Sequence, residues 1–251
     1  RMDISVLIAC AAAGMLTGMA TSRCLPRMWM FATLAGTMCA LLAASVVLSG
    51  QPAWAWRSGW SVGGEHLLVR LDGISAFFLV LLGVVGSAGA VYSREYWPDE
   101  DRPGSAGAGR LWWNAMLFSM GLVLTAGNGL HFLLAWECFA VSAYFLVTLD
   151  RANREVRAAG WIYLAASHAG PLALFALFAA LAGRTGTWEL APVQHLPDLA
   201  HLYWIALLGF AIKAGVFPLH IWLPAAHASA PSHVSALMSG VAIKMGIFGL
   251  V

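Results

Sequence analysis

The chain has 251 residues, of which 60% are hydrophobic and 10% charged, with a formal net charge of +2 and a mean hydropathy of +0.75. Soluble domains carry roughly 25% charged residues, so this composition excludes a solvated globular surface, and the near-neutral charge gives no indication of nucleic acid. The four cysteines, Cys10, Cys24, Cys39 and Cys138, show no CxxC spacing and no Cys/His cluster, which leaves an Fe–S or zinc site unsupported.

Eight hydrophobic segments follow in chain order: Ile4–Ala20, Met28–Ser49, Ile74–Tyr92, Leu111–Ala126, Leu130–Leu149, Val156–Ala182, His201–Phe217 and Ser235–Val251. Runs of about 20 apolar residues are what a bilayer-spanning helix requires. The first segment has almost no basic flank and a second follows closely, so it is not read as a cleaved signal. Arg1 precedes a possible initiator, Met2, and the last segment stops inside an apolar run, so the chain reads as a fragment. Between the second and third segments, Gln51–Asp72 carries Trp54, Trp56 and Trp60 beside Arg57, which reads as an aromatic belt at an outer interface. The loop Trp97–Arg110 is rich in Pro, Gly and charge.

With alternating spans, eight arginines share one side (Arg23, Arg27, Arg94, Arg102, Arg110, Arg151, Arg154, Arg157) and four the other (Arg1, Arg57, Arg70, Arg184). The excess places the first set in the cytoplasm and the N-terminus outside.

All twelve arginines lie in or next to loops, whereas both lysines, Lys213 and Lys244, fall inside apolar spans, as does one carboxylate, Glu137. A charge at mid-bilayer costs about 2.5–3.5 kcal/mol on insertion scales, so such residues are functional hypotheses by default. The bland readings are a helix-pinning carboxylate for Glu137, a static salt bridge for Lys213 and snorkelling for Lys244. The functional reading is proton transfer: burial favours neutral lysine, a nearby carboxylate favours the ammonium, and a change in their separation becomes a proton step. Pro218 predicts a kink or break just after Lys213, of the kind found at transporter ion sites. His168 in the sixth span and His220, seven residues beyond Lys213, are candidate relays, as are His227 and His233 in PLHIWLPAAHASAPSH, a stretch read as a short half-helix and a loop. His66, His131, His195 and His201 read as ordinary. A retinal-type protein is disfavoured by two buried lysines and the nearby proline, and an intramembrane metalloenzyme by the lack of HExxH.

AWECFAVSAYFLV and AIKAGVFPLHIWLPAAHASAPSHVSALMSGVAIKMGIFGLV, with LDGISAFFLVLLG from Leu71, resemble the antiporter-like proton-translocating membrane subunits of respiratory complex I (NADH:quinone oxidoreductase), group 4 hydrogenases and Mrp sodium/proton antiporters. ASHAG and the cast of the fourth and fifth helices look most similar to the hydrogenase-4 component B and formate hydrogenlyase type. The resemblance implies an all-α membrane protein of about eight transmembrane helices, the N-terminal part of a fold of about fourteen helices with inverted repeats and a broken seventh helix. Residues 1–110 would hold helices one to three, and 111–251 the first repeat unit, helices four to eight. Glu137, Lys213 and Lys244 match the family's key proton-translocating residues. The implied function is a proton-translocating, non-redox subunit of a respiratory oxidoreductase complex, not an enzyme on its own, with a Mrp-type Na+/H+ antiporter subunit as the alternative. The implied setting is a bacterial inner (cytoplasmic) membrane, with no cofactor, no metal and no nucleic acid. Its partners would be other membrane subunits, a peripheral redox arm, the lipid bilayer, and protons or Na+.

Overall fold

A computed structural model describes residues 3–192 and 199–251; Arg1, Met2 and His195, noted above, lie outside the described residues. Without water to satisfy backbone groups, a chain crossing a bilayer closes its hydrogen bonds within helices. Among the described residues, five helices are long and apolar enough to cross: α1 (Ile4–Thr21), α2 (Pro26–Leu48), α3 (Gly73–Tyr96), α5 (Gly129–Val147) and α6 (Arg154–Thr185). Between and after them lie α4 (Ala106–Thr125), α7 (Ala200–Ala214), α8 (Trp222–Ser229), α9 (Ser232–Leu237), a π segment (Met238–Ala242) and α10 (Lys244–Phe248).

Helix starts follow local chemistry. Asp3, Asp72, Asn128 and Asn153 accept hydrogen bonds from backbone amides at the starts of α1, α3, α5 and α6, satisfying donors a helix cannot pair internally. Pro26 begins α2, where its missing N–H costs nothing. Gly186 and Gly215 end α6 and α7 at φ of 73° and 66°, a conformation that glycine adopts without a Cβ penalty.

The all-helical expectation needs one correction. Trp54–Val62 and Glu65–Leu71 form an antiparallel hairpin, β1 and β2. Gly63 and Gly64 at its turn both have positive φ, as a two-residue hairpin turn of this hand requires. Trp56 and Trp60 are exposed on β1, so the aromatic-belt reading describes the side chains but not the backbone that carries them.

The bundle has two chemically distinct ends. At one, β2 docks on the α4–α5 turn, where Gly127 N–H donates to Leu68 O (2.8 Å). There Arg70 donates to Leu190 O (2.6 Å), Asn128 donates to Glu65 (3.2 Å) and Arg57 pairs with Glu189. At the other, Arg110 makes two bonds of 2.8 Å to Asp99 and one of 2.6 Å to Ser22 O. This second end holds the arginine-rich loops.

Helix contacts use small residues, as membrane packing favours. A Cβ on Gly14 of α1 would lie 2.7 Å from Gly36 Cα of α2. Asn114 of α4 is fully buried. It accepts from Trp29 Nε1 (3.0 Å) and Thr33 (2.9 Å) of α2 and donates to Met15 O of α1 (3.2 Å), which pins three helices with one amide.

Candidate functional site

α7 stops within two residues of Lys213. Gly215 turns the chain, Pro218 follows with no N–H to continue a ladder, and α8 begins at Trp222. A helix end leaves carbonyls unpaired; the Trp222 indole N–H donates back to Ile212 O at 2.9 Å. That bond sets the Trp222 ring beside the lysine.

Lys213 is 4% exposed. Its ammonium donates to the Tyr163 hydroxyl of α6 at 3.0 Å. It lies 3.9 Å from the Phe139 ring centroid of α5 and 5.1 Å from that of Tyr163. Tyr163 in turn packs edge-on against Trp222 at 5.4 Å. Among the described residues no carboxylate forms an ion pair with Lys213. A desolvated cation–π contact contributes about 2 kcal/mol and a hydrogen bond from a charged group about 1.5–3 kcal/mol. The contacts the Lys213 nitrogen makes among the described residues are thus aromatic rings and one hydroxyl.

Glu137 is not the contact of Lys213 in this conformation. Residues two apart on a helix face away from each other: Phe139 looks at the lysine, and Glu137 looks out of the bundle, 37% exposed. Its partner is His168 of α6, Nε2 to Oε2 3.2 Å. The other ring nitrogen, Nδ1, lies 2.9 Å from Leu164 O. A carbonyl only accepts, so Nδ1 carries a proton, and the Nε2–Oε2 contact is made by one further proton held between imidazole and carboxylate. The structure thus joins His168 to Glu137, not to Lys213.

Lys244 opens α10 directly after the π segment, where Ile243 N–H reaches back to Met238 O (3.0 Å). π segments recur at functional sites. The Lys244 ammonium donates to Ser239 O. Ser239 Oγ lies 3.4 Å from His227 Nδ1, which also meets Ser235 Oγ at 2.7 Å. His220 is half-buried, its ring 5.5 Å from that of Phe217, and it makes no hydrogen bond to Lys213. The seven-residue spacing assumed a continuous helix, and α7 ends before it applies. His131 and His66 bind Val62 O and Ser58 O, both at 3.1 Å, at the hairpin, and His201 meets Arg184 at 3.1 Å. Among the described residues no group of three or more His, Cys, Asp or Glu converges as metal ligands would.

Residue reading missed Tyr163, Phe139 and Trp222. The available signal was a tyrosine hydroxyl inside an apolar span, WIYLAASH, which needs a polar partner when buried.

Residues 126–251, half of the chain, match the family described as NADH:quinone oxidoreductase/Mrp antiporter, transmembrane. The chain belongs to this family. It is therefore an integral membrane protein, and mostly helical. It is similar to hydrogenase-4 component B of Escherichia coli, 36% identical over 188 residues, covering 73% of this chain and 28% of that protein. It is also similar to an NAD(P)H-quinone oxidoreductase chain 4 of Trichormus variabilis, 32% identical over 196 residues, covering 75% of this chain and 35% of that one. In fold it resembles the Mrp complex from Dietzia sp., with a TM-score of 0.81 at 24% identity over 97% of this chain and 27% of that chain. The chain thus spans about a third of the length of the curated relatives it matches.

Proposed function

We propose that this chain is the N-terminal part of a proton-translocating, antiporter-like membrane subunit of a respiratory oxidoreductase complex. The complex would be of the NADH:quinone oxidoreductase or group 4 hydrogenase/formate hydrogenlyase type, in an inner membrane. The observation that carries the reading is Lys213: a buried ammonium at a helix interruption, held by Tyr163 and Phe139 with no paired carboxylate among the described residues. Glu137, on the face of α5 away from Lys213, pairs with His168 of α6 and is the carboxylate station of the reading. Lys244, whose ammonium donates to the Ser239 backbone carbonyl, is the second station.

In this reading α7 and α8 are two halves of one interrupted seventh span, and α9 to α10 are the eighth. Residues 1–110 form a leading three-helix unit, and 111–251 the first of two repeats. The subunit carries no redox centre of its own. Its partners are neighbouring membrane subunits and a peripheral redox arm. A sodium/proton antiporter subunit is the second reading, favoured by the fold shared with the Dietzia Mrp complex.

The full-length protein in its native complex, reconstituted into vesicles with a pH-sensitive dye, separates the two. The expected result is redox-driven proton movement at the same rate with and without sodium. Transport that requires sodium establishes the antiporter reading instead, and no proton movement under either condition overturns both.

A further inference from the structure

A cleft of about 630 Å³ opens at the arginine-rich end, between the starts of α2 and α4, the end of α3 and the start of α9. The two helices that begin here differ from the other long ones. α1, α3, α5 and α6 each start on an Asp or Asn side chain that accepts from their first amides; α2 and α4 have no such cap. Pro26 and Arg27 of α2, and Ala106 and Gly109 of α4, line the cleft. A helix start without a side-chain cap leaves amides for an outside acceptor and carries the positive end of the helix dipole, which favours an anionic oxygen.

The rim offers both signs of charge. Arg110 is paired with Asp99 at 2.8 Å, and Arg94 lies 3.8 Å from Glu95. Two rim charges, Arg27 and Glu100, are exposed and enter no ion pair among the described residues. Three arginines against three carboxylates leave the rim balanced, so it suits a zwitterion better than a free anion. Below it the wall turns apolar through Met30, Phe31 and Leu34, which share one face of α2; Phe31 is 76% exposed.

At the floor two buried groups lack partners. Trp113 is 1% exposed and His233 5% exposed, their rings 5.3 Å apart. Trp113 Nε1 and His233 Nδ1 are both buried without a hydrogen-bond partner. The indole N–H only donates, and the imidazole nitrogen donates in one tautomer, so a carbonyl oxygen with two lone pairs can accept from both. A donor left buried and unpaired is costly, which makes the floor a place for an acceptor.

We propose that the cleft binds a phospholipid with an ethanolamine headgroup. The phosphate meets Arg27 and the starts of α2 and α4, and the ammonium meets Glu100. An ester carbonyl accepts from Trp113 and His233, and the acyl chains cover Met30, Phe31 and Leu34. A free phosphate would bring unbalanced charge to a neutral rim and leave the apolar wall bare. An ammonium donates hydrogen bonds to a carboxylate, whereas a choline headgroup has no N–H to donate.

The test uses the full-length protein in its complex in mild detergent, with a phosphatidylethanolamine that carries a photoreactive group on its acyl chain. Irradiation and peptide mapping are expected to label residues 26–34. Unlabelled phosphatidylethanolamine is expected to compete about fivefold better than phosphatidylcholine or phosphatidylglycerol, and Arg27→Gln combined with Glu100→Gln to cut labelling about fivefold, the size of effect that exposed charge pairs allow. Trp113→Phe, which keeps a ring but not the donor, is expected to cut labelling as well, all variants being matched for assembled complex. Labelling that misses the cleft, persists unchanged in the variants or is competed equally by the three lipids overturns the site. Displacement by inorganic phosphate makes it an anion site and overturns the lipid assignment. Binding is read without transport, so the result is independent of the proton translocation proposed above.

Discussion

Glu137 and Phe139 face opposite sides of one helix, and that fact separates two chemistries. The ring side holds Lys213 with Tyr163; the carboxylate side holds His168. Tyr163→Phe keeps the ring and its packing on Trp222 but removes the one oxygen that accepts from the ammonium among the described residues. Loss of a charged hydrogen bond of about 1.5–3 kcal/mol should slow proton transport at least tenfold in an assembled complex. Equal turnover in the variant would show that the hydroxyl is idle. The Glu137–His168 contact calls for a double-mutant cycle. Glu137→Gln and His168→Asn should each slow transport, and the pair should be no slower than the worse single change, a coupling of about 0.5–3 kcal/mol. Additive effects would mean that the contact plays no part. The sequence alone displayed Glu137, Lys213 and Lys244, because charge inside an apolar run is conspicuous. It hid their pairing, because which of two residues faces a given neighbour depends on helix rotation, and that is set by packing with other helices.

At the scale of elements, the first six apolar segments fall mainly within helices α1 to α6, while the seventh runs past the end of α7 and the eighth is divided among α9, the π segment and α10; a long apolar run has few other ways to satisfy its backbone. Two features were not visible in that pattern. The hairpin was masked because its tryptophans read as an interfacial belt whatever backbone carries them. The π segment before Lys244 inserts one residue into a turn, a change that hydrophobic periodicity over a short apolar stretch does not register. Beyond it, α10 crosses α7 closely. A Cβ on Gly246 would lie 2.5 Å from Phe210 O and 2.6 Å from Ala214 N. Both are backbone atoms, so neither can swing aside. Gly246→Ala should therefore push α10 off α7 at a cost of about 1–3 kcal/mol and lower the thermal midpoint of the detergent-solubilised protein by several degrees. An unchanged midpoint would show that the two helices separate without penalty.

Across the whole molecule, the arginine count divides the bundle into the two ends that the contacts also separate: hairpin, α4–α5 turn and 187–190 at one, Arg110–Asp99 and the arginine-rich loops at the other. Glu137, Lys213 and Lys244 belong to the helical segments α5, α7 and α10. Membership of the NADH:quinone oxidoreductase/Mrp antiporter family agrees with that layout. The central claim is that the Lys213 ammonium carries the transported proton. The direct measurement is proton transport by the full-length complex in sealed vesicles, with Lys213→Ala beside wild type and both matched for assembled protein. The account predicts normal assembly with transport abolished; assembled Lys213→Ala complex that moves protons at the wild-type rate would contradict it.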